Sequence, residues 1–193
     1  MMVFFIEFTT LAQWTYTWSA YSMVQGTIKQ LKQTDSYNLV GDIGGTNARF
    51  ALVARGESEL ISIKTLQCKK FETIQQAIKY YLSSIDDVQI ESACIASAGT
   101  THLDIFKPAN NDWIINKSKV SSALNDIQVI WINDFSAQAL ATTILTTNDV
   151  IVINKGVVQP ERVRLVIGPG TGLGTCGLIK SSSRWVSLPP QGG

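Results

Sequence analysis

Residues Leu39 to Leu52, LVGDIGGTNARFAL, set an Asp, two Gly, a Thr and an Asn between two apolar runs. Glycine lacks a Cβ and accepts positive φ, so the N–H groups of Gly44 and Gly45 can approach an anion closely. Thr46 and Asn47 add short polar side chains at the same turn. Asp42 brings a carboxylate beside that anion, where a divalent cation on a phosphate would bridge the two. An ordinary hairpin turn uses the same residue types. A second Gly-rich stretch, GPGTGLG from Gly168 to Gly174, sits in a similar layout of strand, Gly- and Thr-rich turn, and strand. Two such hairpins facing each other could grip one polyphosphate from both sides. Gly172, Gly174 and Gly177 also satisfy G-x-G-x-x-G, but that dinucleotide fingerprint needs a helix next. The following LIKSSSRW has no helical periodicity, and no G-x-x-x-x-G-K-[ST] phosphate loop occurs.

Between these stretches lie two more groups able to do chemistry. Asp134 follows Asn133 at the end of the apolar run QVIWIN, where a helix begins. Asp there is a favoured N-cap, worth roughly 1 kcal/mol. The same position suits a general base, since a helix N-terminus keeps a carboxylate ionised and strand carboxyl ends open onto clefts in α/β sheets. One carboxylate accepting a hydroxyl proton is what phosphoryl transfer to an alcohol requires. Asn110, Asn111 and Asp112 form an amide-rich loop before Trp113, suited either to a polyhydroxyl ligand or to a plain turn.

The elements that must position these groups are legible from periodicity. Tyr37–Asp42, Ala48–Ala54 and Glu59–Leu66 read as three strands of a meander. Phe71, Ile74, Ala77, Ile78, Tyr81, Leu82 and Ile85 recur at helical spacing. Ser92–Ser97 is a buried strand, 100–113 a polar irregular loop, Ser118–Leu124 a short helix and Gln128–Asn133 a strand. A helix marked by Ala137, Leu140, Ala141, Ile144 and Leu145 follows, then strands at Val163–Ile167 and Cys176–Ile179. The βββαβ order implies a mixed sheet.

Composition narrows the function classes. A net charge of +1 on 193 residues gives no electrostatic footprint for nucleic acid. His102 is the sole histidine, which excludes multi-histidine metal sites. Cys68, Cys94 and Cys176 form neither a disulfide framework nor a metal knuckle, and a reducing cytoplasm is the expected setting. Residues 1–36 read as an N-terminal extension, either a disordered leader or residues ahead of a start at Met23. Met1 to Val24 lacks Lys and Arg and carries Glu7, which fits neither a secretory signal nor a membrane span.

Taken together, the residues resemble a bacterial glucokinase of the hexokinase/actin-like ATPase superfamily. LVGDIGGTNARFAL, the ANNDW loop (where the family has Thr-Asn-x-x-Trp), INDF at 132–135 and IGPGTGLG at 167–174 stand in the family's order. The resemblance implies an α/β, actin-like (ribonuclease-H-like) ATPase fold: a mixed sheet with flanking helices, the first lobe complete at 37–135 and the second only begun at 136–193. It implies a kinase moving the ATP γ-phosphoryl group to the 6-hydroxyl of glucose, with Mg²⁺ bridging the phosphates. Asp42, Gly44, Gly45, Thr46 and Asn47 would form one phosphate loop, with Asp42 acting on the metal indirectly. Gly168, Gly170, Thr171, Gly172 and Gly174 would form the other. Asn110, Asn133 and Asp134 would bind the sugar, with Asp134 also the base.

Two departures stand out. The family follows the second loop with Pro-Gly-Glu-Gly-Gly-His, whose Glu and His bind sugar hydroxyls. This chain reads Pro189-Pro190-Gln191-Gly192-Gly193, so Gln191 keeps an amide but loses the charge-assisted bond. The family's second lobe also extends about a hundred residues further, so a catalytically inactive remnant with weak sugar or phosphate binding is the alternative expectation. A hexose is the expected partner, with a homodimer if the whole fold is present, and no nucleic acid or membrane. A sugar-responsive repressor would need a helix-turn-helix, and an acylated-sugar kinase usually brings a cysteine-rich zinc motif; neither is present.

Overall fold

The computed structural model describes residues 36–57, 59–85, 88–145, 148–153, 156–157, 159, 161–169 and 173–190. The expectations for the N-terminal extension up to residue 35, for Gly170, Thr171 and Gly172, and for Gln191 lie outside the described residues. The chain divides into two compact units between Asp134 and Phe135.

The unit ending at Asp134 is built on a five-stranded sheet. Strands β1 (Ser36–Ile43), β2 (Asn47–Ala54) and β3 (Leu60–Gln67) form an antiparallel meander. A 3₁₀ turn at Cys68–Lys70 leads to helix α1 (Ile74–Leu82), and β4 (Gln89–Ser97) returns parallel to β1. Two-residue strands β5 (Ile105–Phe106) and β6 (Ile115–Asn116) pair with each other ahead of α2 (Lys117–Ala123). β7 (Gln128–Asn133) then adds to the sheet parallel to β4, giving the order β3-β2-β1-β4-β7. The mixed sheet inferred from element order is thus the one formed.

The core follows from the alternation of the strands and the helical stripe of α1. Leu39, Phe50, Leu52 and Ile95 are buried from the sheet, and Ile74, Ala77, Ile78 and Tyr81 from the helix. Full burial of each large apolar side chain contributes about 1.5–3 kcal/mol before entropic costs. The helix is shorter than its apolar stripe. Thr73 caps it, accepting a bond from Gln76 N, so Phe71 and Ile85 pack against the core from outside it. The segment 100–113 also departs from a plain loop. It contributes β5 and buries Phe106 and Trp113, whose indole N–H donates to Phe71 O at 2.9 Å.

The second unit begins within α3 (Asp134–Ala141), which starts at Asp134 itself and stops well short of Leu145. Thr142 and Thr143 turn their hydroxyls back to Ala139 O and Leu140 O, each at 2.7 Å, a local bonding that competes with helix propagation. β8 (Arg164–Pro169), β9 (Leu173–Ser181) and β10 (Arg184–Ser187) form an antiparallel sheet in the order β10-β9-β8. Its described buried apolar residues are Ala139, Val166, Cys176 and Leu178. No helix among the described residues is long and apolar enough to cross a membrane.

Candidate functional site

Three parallel strands end together. Ile43 at the end of β1 registers with Ser97 of β4, and Ser97 registers with Asn133 of β7. Gly44–Asn47 leaves one end of that row and Asp134 leaves the other. Two interstrand spacings, roughly 10 Å, separate them. Ser97 fills the middle, fully buried, with its hydroxyl 3.5 Å from Ile43 O.

The Gly44–Asn47 turn is closed by Gly44 N donating to Asn47 O at 3.0 Å, and Cys68 N donates to Thr46 O at 2.8 Å. Neither Gly44 nor Gly45 adopts positive φ. Gly45 is needed for a different reason: a Cβ there would lie 2.6 Å from Asn110 O. The amide-rich loop is therefore seated directly on the turn. Asn110 itself holds φ at +56° and is exposed, whereas Asn111 is buried. Asn111 Nδ2 donates to Gly44 O at 2.8 Å and lies 3.4 Å from Cys68 Sγ, while its Oδ1 accepts from Trp113 N at 2.9 Å.

Asp42 precedes the turn and registers opposite Arg49 on β2. Arg49 Nη1 donates to Asp42 Oδ2 at 2.9 Å. Burial pushes the Asp42 carboxyl above its ordinary value, against the opposing pull of the guanidinium. Burial likewise raises the Cys68 thiol, which keeps it protonated and inert. No group of three or more metal-ligating side chains occurs among the described residues. A single carboxylate fits Mg²⁺, which takes one or two carboxylates and fills its remaining positions with phosphate oxygens and water.

Of the residues singled out by sequence, Asp42, Gly44, Gly45, Thr46, Asn47 and Asn110 come together around the turn, with Asn133 and Asp134 at the same carboxyl end of the parallel strands. Asp134 is the first residue of α3 rather than a residue capping it from outside. Gly168 and Gly174 are a registered pair in the second unit, and both are crowded by Phe135. A Cβ at Gly168 would stand 2.7 Å from the ring, and one at Gly174 would overlap it. These two glycines thus have a packing reason independent of any phosphate. Sequence reasoning passed over Ser97 and gave Asn111 no separate role. The amide cluster at 110–112 was the available signal, without a way to tell which amide turns inward.

A mixed sheet flanked by helices, with an acidic strand end, a Gly-rich turn and a carboxylate across parallel strands, is the architecture of the actin-like ATPase fold. A family model described as glucokinase matches residues 39–193. A glucokinase of Hahella chejuensis is 41% identical over 157 residues, 81% of this chain and 49% of that protein. The crystal structure of a glucokinase from an Antarctic psychrotroph superposes with a TM-score of 0.71 at 32% identity, covering 79% of this chain and 49% of its own. A ROK family glucokinase from Streptomyces griseus, solved in complex with glucose and AMPPNP, shares the fold at TM-score 0.55 and 23% identity, over 77% of this chain and 47% of that one. The chain belongs to the glucokinase family. It spans about half the length of the curated relatives it matches.

Proposed function

We propose that this chain carries the sugar loop and first phosphate loop of an ATP-dependent hexose kinase, transferring the γ-phosphoryl group to the 6-hydroxyl of glucose. The observation that carries the reading is the row Ile43–Ser97–Asn133. It sets the Gly44–Asn47 turn and Asp134 at the carboxyl end of the parallel strands, at a separation that a hexose hydroxyl and a terminal phosphate can fill. Asn110 and Asn133 would hold sugar hydroxyls, and Asp134 would take the 6-hydroxyl proton as oxygen attacks phosphorus. The N-terminus of α3 favours the ionised carboxylate needed for that step. Gly44, Gly45, Thr46 and Asn47 would contact phosphate oxygens; the family resemblance assigns Gly168, Gly170, Thr171, Gly172 and Gly174 to phosphate and Gln191 to sugar in the same way. Asp42 would hold the cation through water, and Mg²⁺ supplies charge neutralisation on the phosphates when bound.

The test is a coupled assay of glucose-dependent ATP consumption by the purified chain and by its Asp134→Asn variant. Loss of 10²–10⁴-fold in kcat is expected for a general base, and a loss below about tenfold would remove Asp134 from that role. A second reading is that these 193 residues bind sugar or phosphate without turnover, favoured by their covering about half of the relatives' length. Sustained turnover by the purified chain would exclude it.

A further inference from the structure

Asn111 joins two loops that lie far apart in sequence. Its amide is buried, and both ends are used: Oδ1 closes the turn of its own loop on Trp113 N, while Nδ2 reaches across to Gly44 O at 2.8 Å. The contact is reinforced by the seat of Asn110 O on Gly45, where no Cβ would fit. Cys68 adds a third anchor from the end of β3, its N–H bonded to Thr46 O and its sulfur 3.4 Å from Asn111 Nδ2.

We infer that Asn111 is a positioning residue that latches the Asn110 loop to the Gly44–Asn47 turn, so that the two ligand loops move as one. The inference rests on reading these as the sugar and phosphate loops. Gly44 gives its carbonyl to the latch and its N–H to Asn47 O, so the backbone at the turn is held on both sides. Sugar binding at Asn110 then orders the turn, and a phosphate at the turn orders Asn110. Occupancy of one loop lowers the ordering cost of the other.

Donor and acceptor can be separated. Asn111→Asp keeps the acceptor for Trp113 N and removes the donor to Gly44 O; Asn111→Ala removes both. Hydrogen exchange on the whole chain reads local opening at each loop. Both variants should speed exchange of the Gly44 amide, which is bonded to Asn47 O, by about tenfold, the factor equivalent to one lost hydrogen bond. Ile95 in β4 should stay protected, and Asn111→Asp should retain more protection at Trp113 than Asn111→Ala. Wild-type exchange of the Gly44 amide in Asn111→Asp would overturn the latch. In the wild type, saturating glucose should slow exchange of the Gly44 amide as well as at 109–113, and the variants should lose the effect at the turn. Protection confined to 109–113 would also overturn it. If glucose protects neither segment, the sugar-binding reading fails, while exchange in the ligand-free variants still decides the latch.

Discussion

Asp42 meets two opposing demands. Burial disfavours its charge, and Arg49 opposes that through a 2.9 Å ion pair without cancelling it, so the folded carboxyl titrates above its ordinary 3.8. A carboxyl raised on folding adds stability that is complete below the unfolded pKa and is lost as pH rises through the folded one. At neutral pH the ionised carboxylate therefore works against the fold. Asp42→Asn keeps an oxygen for Arg49 and sheds the partly buried charge. Its Tm is expected to equal or exceed that of the wild type at pH 8, with the advantage shrinking on acidification toward pH 4. Nucleotide binding, measured by calorimetry with Mg²⁺, should be lost in the same variant. A Tm well below wild type at pH 8 would show that the ion pair dominates. Gly45→Ala tests a different residue-scale constraint. The new methyl meets the backbone of Asn110 rather than a movable side chain. A loss of about 1–3 kcal/mol, the usual cost of overpacking, is expected in denaturant titration.

At the scale of elements, the hairpin β8–β9 and the start of α3 are fitted through one ring. Phe135 lies against Gly168 and Gly174, which pair across the hairpin. Gly174→Ala should destabilise this unit, and Phe135→Ala in the same chain should recover part of the loss. A double-mutant cycle by urea unfolding reads the coupling directly; additive losses would mean that the ring and the glycine do not constrain each other. Helix α1 offers a simpler check: Thr73→Ala removes the bond to Gln76 N and should cost about 1 kcal/mol.

At the scale of the molecule, the two units differ in what they bury. The unit ending at Asp134 encloses a continuous cluster from Tyr37 to Leu124. The described core of the other consists of Ala139, Val166, Cys176 and Leu178, with Phe135, Leu140 and Trp185 partly buried against it. Its sheet leaves Leu165, Leu173 and Val186 exposed. Fewer buried apolar contacts mean cheaper local opening. Amide exchange is therefore expected to be faster in β8 and β9 than in β1 and β4 under native conditions. Equal protection in all four strands would contradict this ranking.

The strands of the meander, the parallel strand at Ser92–Ser97, the QVIWIN strand and both Gly-rich hairpins were legible because their signals are local. Apolar alternation and turn chemistry act over a few residues, and each strand falls within a few residues of its apolar run. The four motifs and their order were legible for the same reason, and with them the family. What the sequence left open depends on approaches between distant segments. Positive φ and a missing Cβ are the two properties the sequence offers at Gly44 and Gly45; neither residue uses the first, and at Gly45 the second admits a loop 65 residues further on. Asn110 and Asn111 are the same residue type in adjacent positions, and only the backbone turn at Asn110 sends one amide outward and the next inward to Gly44 O. Neighbouring residues decide where the chain turns; which side chain a turn buries is decided by what packs against it, and that is known only once the loops have met.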